Sequence, residues 1–318
     1  MCKTEQWAYK EMKSNWIDSL KQGNKARNGE LDALRFLAIT LVIASHCDFI
    51  DQGGVGVCLF FALSGFFAVK PFVHDGERSF LSLKGVLFYY VERFFRLIPI
   101  TWLHLILATV FFQRYSFVDV HSASSVLLNM FFIKSSGHLW FLQHIVVFYF
   151  FVPMLMRLFY LMKRLGSLLR IDEKANGFVC VFLFLCLSFL AVFLIPRTHF
   201  TLYGNGMKRP FCLGYLMLGM TTGFLFRLHE DLQIRLNERK WYRFMSGMIV
   251  SLFIVFCLVT SDSVLSRFDS IYAGYYIGWS RPLLCVVLGC IAVFFTATGG
   301  DNYINKLFVF LLYPILGE

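Results

Sequence analysis

Charge is what this sequence has little of. Asp, Glu, Lys and Arg together fill 16% of its 318 positions, while hydrophobic residues fill 58% and Phe alone accounts for 38. A soluble globular domain carries about 25% charged residues, so that class is excluded. Also missing are CxxC pairs and any loop long enough to hold a separate soluble domain. The nine cysteines are Cys2, Cys47, Cys58, Cys180, Cys186, Cys212, Cys257, Cys285 and Cys290. Most sit inside apolar segments, where they read as small buried hydrophobes rather than as a disulfide framework or a zinc site. No cleavable signal peptide is visible, because a polar arm of about thirty residues precedes the first apolar run.

What remains is a chain of apolar segments. Eight read as complete spans: Leu31–Ile50, Val55–Val73, Leu97–Phe112, His138–Leu161, Gly177–Ile195, Pro210–Phe226, Phe244–Thr260 and Pro282–Ala297. A ninth begins near Leu307 and is cut off at Glu318, so the membrane domain is expected to be incomplete at its carboxyl end. The predicted fold is all-α, a polytopic transmembrane helix bundle, with residues 1–30 as an amino-terminal arm and residues 31–318 as one membrane domain. The formal net charge of +10 does not point to nucleic acid, because its placement follows the bilayer. Most Lys and Arg fall in alternate loops, among them Lys10, Lys21, Lys84, Arg164, Arg170, Arg235 and Arg239, and few fall in the loops between. That asymmetry predicts a cytoplasmic amino terminus. The arm, with Trp7, Trp16, Ile17 and Leu20 among lysines, reads either as an interfacial helix or as a solvated tail.

The first span, LDALRFLAITLVIASHCDFI, is long enough to cross a bilayer, yet it carries Arg35, His46 and Asp48. Ionisable groups inside a membrane helix are expensive and by default mark a site. Eleven residues, close to three turns, separate Arg35 from His46, so both project from one face about 16 Å apart. Asp48 falls roughly 200° round the helix from His46 at 100° per residue, a poor position for orienting it. Cys47 beside it reads as inert, as a lone thiol near an apolar interface generally is.

Downstream, Gly53, Gly54 and Gly56 predict a tight turn, and Ser64–Gly65 breaks the apolar surface of the second span. Gly65 allows either close helix packing or a site. In YYVERFFRLIP, Arg93 and Arg96 are three apart and share a helix face. Snorkelling to the interface explains one arginine. Two on one face, beside a proline, favour bidentate contacts to phosphate. Pro99 is expected to bend or begin the third membrane helix. The fourth span opens with His138, Trp140 and His144. Trp140 also suits an interface anchor, and the two histidines are off one face, against a shared metal.

Taken together, these stretches resemble acyltransferase family 3, the integral membrane O-acyltransferases of bacteria that decorate surface glycans. The resemblance runs from about Asn28 to the end. Its first-helix Arg and His, ten residues between them, are matched by Arg35 and His46. The glycine-rich turn leading to FF and SGF is matched by GGVGVCLFFALSGFF. The RxxR before a proline is matched by Arg93, Arg96 and Pro99, and the LWFL segment with its Phe-Tyr and Pro by Leu139–Leu142, Phe148, Tyr149 and Pro153. Where many members carry Glu between that Trp and the Phe-Tyr pair, this chain has Gln143 and His144.

The resemblance implies an enzyme of the bacterial cytoplasmic membrane that moves an acyl group, usually acetyl from acetyl-CoA, to a sugar hydroxyl of an extracytoplasmic or lipid-linked glycan. Arg35, Arg93 and Arg96 would hold the phosphates of CoA, the donor, and no metal is called for. His46 would be the catalytic residue, with Ser64, Trp140 and His138 as supporting candidates. Imidazole changes charge near neutrality and suits general base work; it can equally carry the acyl group. Intramembrane charges also allow a transporter or flippase for a lipid-linked sugar. Paired, broken helices in two matching halves, the mark of such transporters, are absent from the sequence.

Overall fold

The computed structural model describes residues 29–49, 53–69, 81–111, 123–135, 139–195, 201–204, 207–210, 212–231, 239–259 and 280–299. Helices dominate them: α1 (Gly29–His46), α2 (Gly53–Val69), α3 (Leu83–Phe111), the short α4 (Ala123–Met130), α5 (Leu139–Leu168), α6 (Glu173–Leu194), α7 (Leu213–Asp231), α8 (Lys240–Val259) and α9 (Ser280–Thr298). The helical expectation therefore holds. Four described helices are long and apolar enough to cross a membrane: Leu83–Phe111, Leu139–Leu168, Glu173–Leu194 and Lys240–Cys257. Gly53–Val69 and Leu283–Thr298 are shorter apolar helices. The ninth span expected from Leu307 lies outside the described residues, as does the arm before residue 29.

Two helices run further than their apolar cores. The third was expected to start at Leu97, but α3 begins at Leu83 and continues past Pro99, which lies inside it. A proline inside a helix removes one backbone bond, a loss that membrane helices tolerate where hydroxyls and neighbouring helices serve the freed groups. α5 likewise continues through Pro153 to Leu168. Thirty residues give it a length of about 45 Å, well beyond a hydrocarbon core of about 30 Å. Its end is defined by Arg170, at φ 58°, with Ile171 N–H bonding Gly166 O at 3.1 Å, the left-handed closure that satisfies last-turn carbonyls. Asp172 then caps α6 by accepting from Lys174 N at 3.2 Å and Ala175 N at 3.4 Å.

A small sheet joins the helices. β1 (Lys134–Ser135) runs parallel to β2 (Thr201–Gly204), which pairs antiparallel with β3 (Met207–Pro210). In that pairing Gly204 stands opposite Met207 and Thr201 opposite Pro210.

α2 is the centre of the bundle, buried along most of its length and packed against α7, α1 and α9. Lipid chains are as apolar as leucine, so such helices associate through close packing of small residues. At the α2–α7 crossing a Cβ on Gly65 would strike Leu216 O, and one on Gly219 would come within 2.9 Å of Gly65 Cα. Gly56 meets α1 in the same way, at Ala38 O and Val42. Between α5, α6 and α7, the Phe159 and Phe224 rings stack at 3.8 Å and Phe184 packs edge-on at 5.0 Å from Phe224. Hydroxyls bridge helices elsewhere: Ser188 to Thr221 at 3.2 Å, and Tyr242 to Thr298 at 2.7 Å.

Candidate active site

The last turn of α2 gathers the arginines. Its carbonyls lack intrahelical donors and form the negative end of the helix, so cations are drawn to it. Phe67 lies in that turn. Its carbonyl accepts from Arg93 Nη2 at 3.4 Å, and the guanidinium of Arg35 lies over its ring, 3.8 Å from the centroid, a cation–π contact. Arg35 also donates through Nη1 to Asp32 Oδ1 at 2.6 Å, a pair within α1 that is partly exposed. Arg93 arrives from α3 and is buried, at 4% exposure. Its guanidinium lies 5.4 Å from the Tyr89 ring and 5.2 Å from that of Tyr149 on α5. Among the described residues, Arg93 Nε has no hydrogen-bond partner. Arg96 is exposed, and both it and Tyr149 lie within electrostatic reach of Arg35.

Arg35 and Arg93, which the sequence places on separate segments, thus meet at Phe67, with Arg96 within electrostatic reach of Arg35. The sequence reading missed Phe67, Tyr89 and Tyr149, which fix their positions. All three stand in quoted stretches, Phe67 in SGFF, Tyr89 at the head of YYVERFFRLIP and Tyr149 in the Phe-Tyr pair, and so carried a signal. Arg93 and Tyr149 also border a cleft of about 120 Å³ between α3 and α5, walled by Phe94, Leu97, Val146 and Phe150.

His46 stands at the opposite end. It is the last residue of α1 and is exposed, about 16 Å along the axis from Arg35. The helix closes just past it, with Asp48 N–H bonding Ser45 O at 3.3 Å and Asp48 itself at φ 58°. Asp48 therefore lies beyond the helix, and its angle round the helix axis does not decide its relation to His46. Ser45 abuts the start of α2, where a Cβ on Gly53 would come 2.8 Å from its Oγ. On α2, Val57, Phe60, Ser64 and Phe67 make one half-buried stripe, and it runs from the His46 end to the arginine end. Ser64 is part of that stripe, while Gly65 beside it is a packing residue.

The opening of α5 is structural in its contacts. Trp140 is half-buried, edge-on to Phe141 at 6.3 Å and to His144 at 5.6 Å. His144 is buried, with Nδ1–H donating to Trp140 O at 2.9 Å. Gln143, where an acidic helper might have been sought, is buried and anchors the segment before it. Its Nε2 donates to Phe132 O at 2.8 Å and its Oε1 accepts from Ser135 Oγ at 3.0 Å. His138 lies outside the described residues. Among the described residues no three His, Cys, Asp or Glu side chains gather as a metal site.

A family model described as an acyltransferase domain matches residues 28–313, nearly the whole chain. No curated protein and no solved structure matches it.

Proposed function

The chain belongs to the acyltransferase family with that domain, and from this premise we propose that it moves an acetyl group from cytoplasmic acetyl-CoA to a hydroxyl of an extracytoplasmic or lipid-linked glycan. That it is an acyltransferase follows from the family, and its long apolar helices make it a multi-pass membrane protein. Donor, acceptor, the eight spans with a ninth, and a bacterial cytoplasmic membrane with the amino terminus inside are our reading. The family match lends no support to a transporter.

One observation carries the proposal. Arg35 and Arg93 meet at Phe67 near the end of α2, with Arg96 within electrostatic reach of Arg35, while His46 ends the same helix that bears Arg35, about 16 Å away. Phosphates held by guanidinium groups at one side leave the extended arm of CoA to carry its thioester towards an imidazole at the other. There the acceptor hydroxyl attacks the thioester carbonyl as His46 takes its proton, and the proton then passes to the departing thiolate. In the alternative order His46 accepts the acyl group first and hands it to the hydroxyl. Both routes require an imidazole at this position.

The donor side is tested by replacing each arginine with Lys, which keeps charge but loses bidentate geometry. Arg96 is exposed, so Arg96→Lys should weaken CoA binding about tenfold, the loss of one charge-assisted contact, and leave thermal stability unchanged. Arg93→Lys should lower both, because Arg93 also fills the space between Tyr89 and Tyr149. The check is CoA titration by calorimetry alongside thermal melting of purified protein. Unaltered affinity in both variants would return these residues to interface anchoring.

A further inference from the structure

The segment between α3 and α5 falls between two spans in the sequence, yet it presents apolar side chains outward. From Ser122 to Ile133 it contains no charged residue. α4 forms its first part, and one face of the segment is buried. Val126 and Met130 pack on Leu105 of α3 and Leu139 of α5, and Asn129 and Phe132 are buried as well. The other face carries Leu127, Leu128, Phe131 and Ile133, all exposed, Phe131 at 67%. A single exposed apolar residue needs no explanation. Four within seven positions form a patch, and a contiguous apolar patch marks a contact.

The backbone of this segment is served by protein too. A helix end leaves its last carbonyls without intrahelical donors, and at an aqueous surface water serves them. Phe132 stands at φ 56°, an uncommon conformation for a bulky residue. It turns the chain so that its own N–H bonds Asn129 O at 3.1 Å and Ile133 N–H bonds Leu128 O at 3.0 Å. Trp102 Nε1 on α3 donates to Met130 O at 3.0 Å. Gln143 Nε2 on α5 donates to Phe132 O and, at 3.3 Å, to Ile133 O, and the Asn129 amide donates to Ser125 O at 2.8 Å. Non-helical backbone persists at membrane depth only where protein satisfies it in this way. A loop in water is under no such demand.

What covers the patch follows from what it adjoins. α4 packs on α3, a helix long and apolar enough to cross a membrane. Beside Trp102 and Leu105, which α4 touches, α3 exposes Leu103, Ile106, Val110 and Phe111, the side chains that a spanning helix turns to lipid. We propose that residues 123–133 are seated among the acyl chains of the leaflet where α3 ends, with Leu127, Leu128, Phe131 and Ile133 in contact with phospholipid. On the orientation proposed above, that leaflet is the extracytoplasmic one. Gln143 ties this lipid-seated segment to the first turn of α5, beside Trp140. The inference does not depend on the identity of donor or acceptor.

The experiment replaces Phe131 by the photoreactive p-benzoylphenylalanine in the full chain, reconstituted in vesicles of phosphatidylethanolamine and phosphatidylglycerol, and identifies the adducts by mass after irradiation. The same replacement at Val110 reports the lipid contact of α3. Phospholipid adducts should form at position 131 in a yield of the same order as at position 110. If the Phe131 variant does not assemble, the replacement at Ile133, on the same exposed face, carries the test. A crosslinked dimer in place of the lipid adduct would overturn the proposal and make the patch an interface between copies. Labelling at position 110 with none at 131 would overturn it in favour of a solvated loop. A failure to label lipid at position 110 would remove the contact with α3's lipid face on which the proposal rests, and overturn it as well.

Discussion

Membranes containing His46→Ala are expected to transfer acyl groups about 10²- to 10⁴-fold more slowly than wild type, the usual contribution of a positioned acid–base group. Insertion and yield should not change. His46 is the exposed last residue of α1, so the core of Leu31, Leu34, Ala38 and Leu41 does not depend on it. The loss should therefore appear in turnover and not in stability or in CoA binding, since the arginines lie about 16 Å away. His46→Gln should be as inactive, because an amide hydrogen-bonds but neither takes up a proton near neutrality nor carries an acyl group. Rapid quenching followed by mass measurement would distinguish the two routes: an acylated peptide containing His46 marks the carrier route. Near-normal transfer by His46→Ala at matched protein level would remove this residue from the mechanism.

Gly65→Val should leave no properly assembled protein. The added Cβ collides with backbone, at Leu216 O, Gly219 Cα and Met220 N, and backbone cannot turn aside as a side chain can. Overpacking a core with one group costs about 1–3 kcal/mol. A clash with a whole backbone segment at the central crossing belongs above that range, at more than about 3 kcal/mol. Gly54 provides the control, since a Cβ there meets nothing within 4 Å; Gly54→Ala should be tolerated. Size-exclusion profiles of detergent-solubilised protein decide it. A Gly65→Val profile matching that of Gly54→Ala would mean that α2 and α7 do not cross at this point.

Gly65 also shows where sequence reasoning stops. A glycine in an apolar span fits a helix crossing and a ligand approach equally well, and only the position of Gly219, distant in the chain, decides for the crossing. The Arg35–His46 face was legible because it depends on spacing within one helix. The meeting of Arg35 with Arg93 was not, because it depends on Phe67 at the end of a second helix receiving both. α3 was read too short because hydropathy marks the apolar core, whereas the helix continues into polar sequence and a proline at its centre suggested a start. Gln143 stood out as a departure from an acidic pattern, and its bonds to Phe132 and Ser135 give it a packing role that no local pattern records. Asp48 was judged by a helical angle that ends at His46.

The most direct test of a transmembrane acyl transfer is sidedness. Sealed vesicles are prepared with the cytoplasmic face inward and labelled acetyl-CoA inside, and a glycan acceptor is added outside. Acetylated acceptor should form outside only when the donor is loaded inside, the CoA product should stay in the lumen, and His46→Ala vesicles should form none. Sugar that crosses the bilayer without being acetylated, or acetylation supported only by donor added outside, would contradict an enzyme whose arginines face the cytoplasm and whose His46 faces the acceptor.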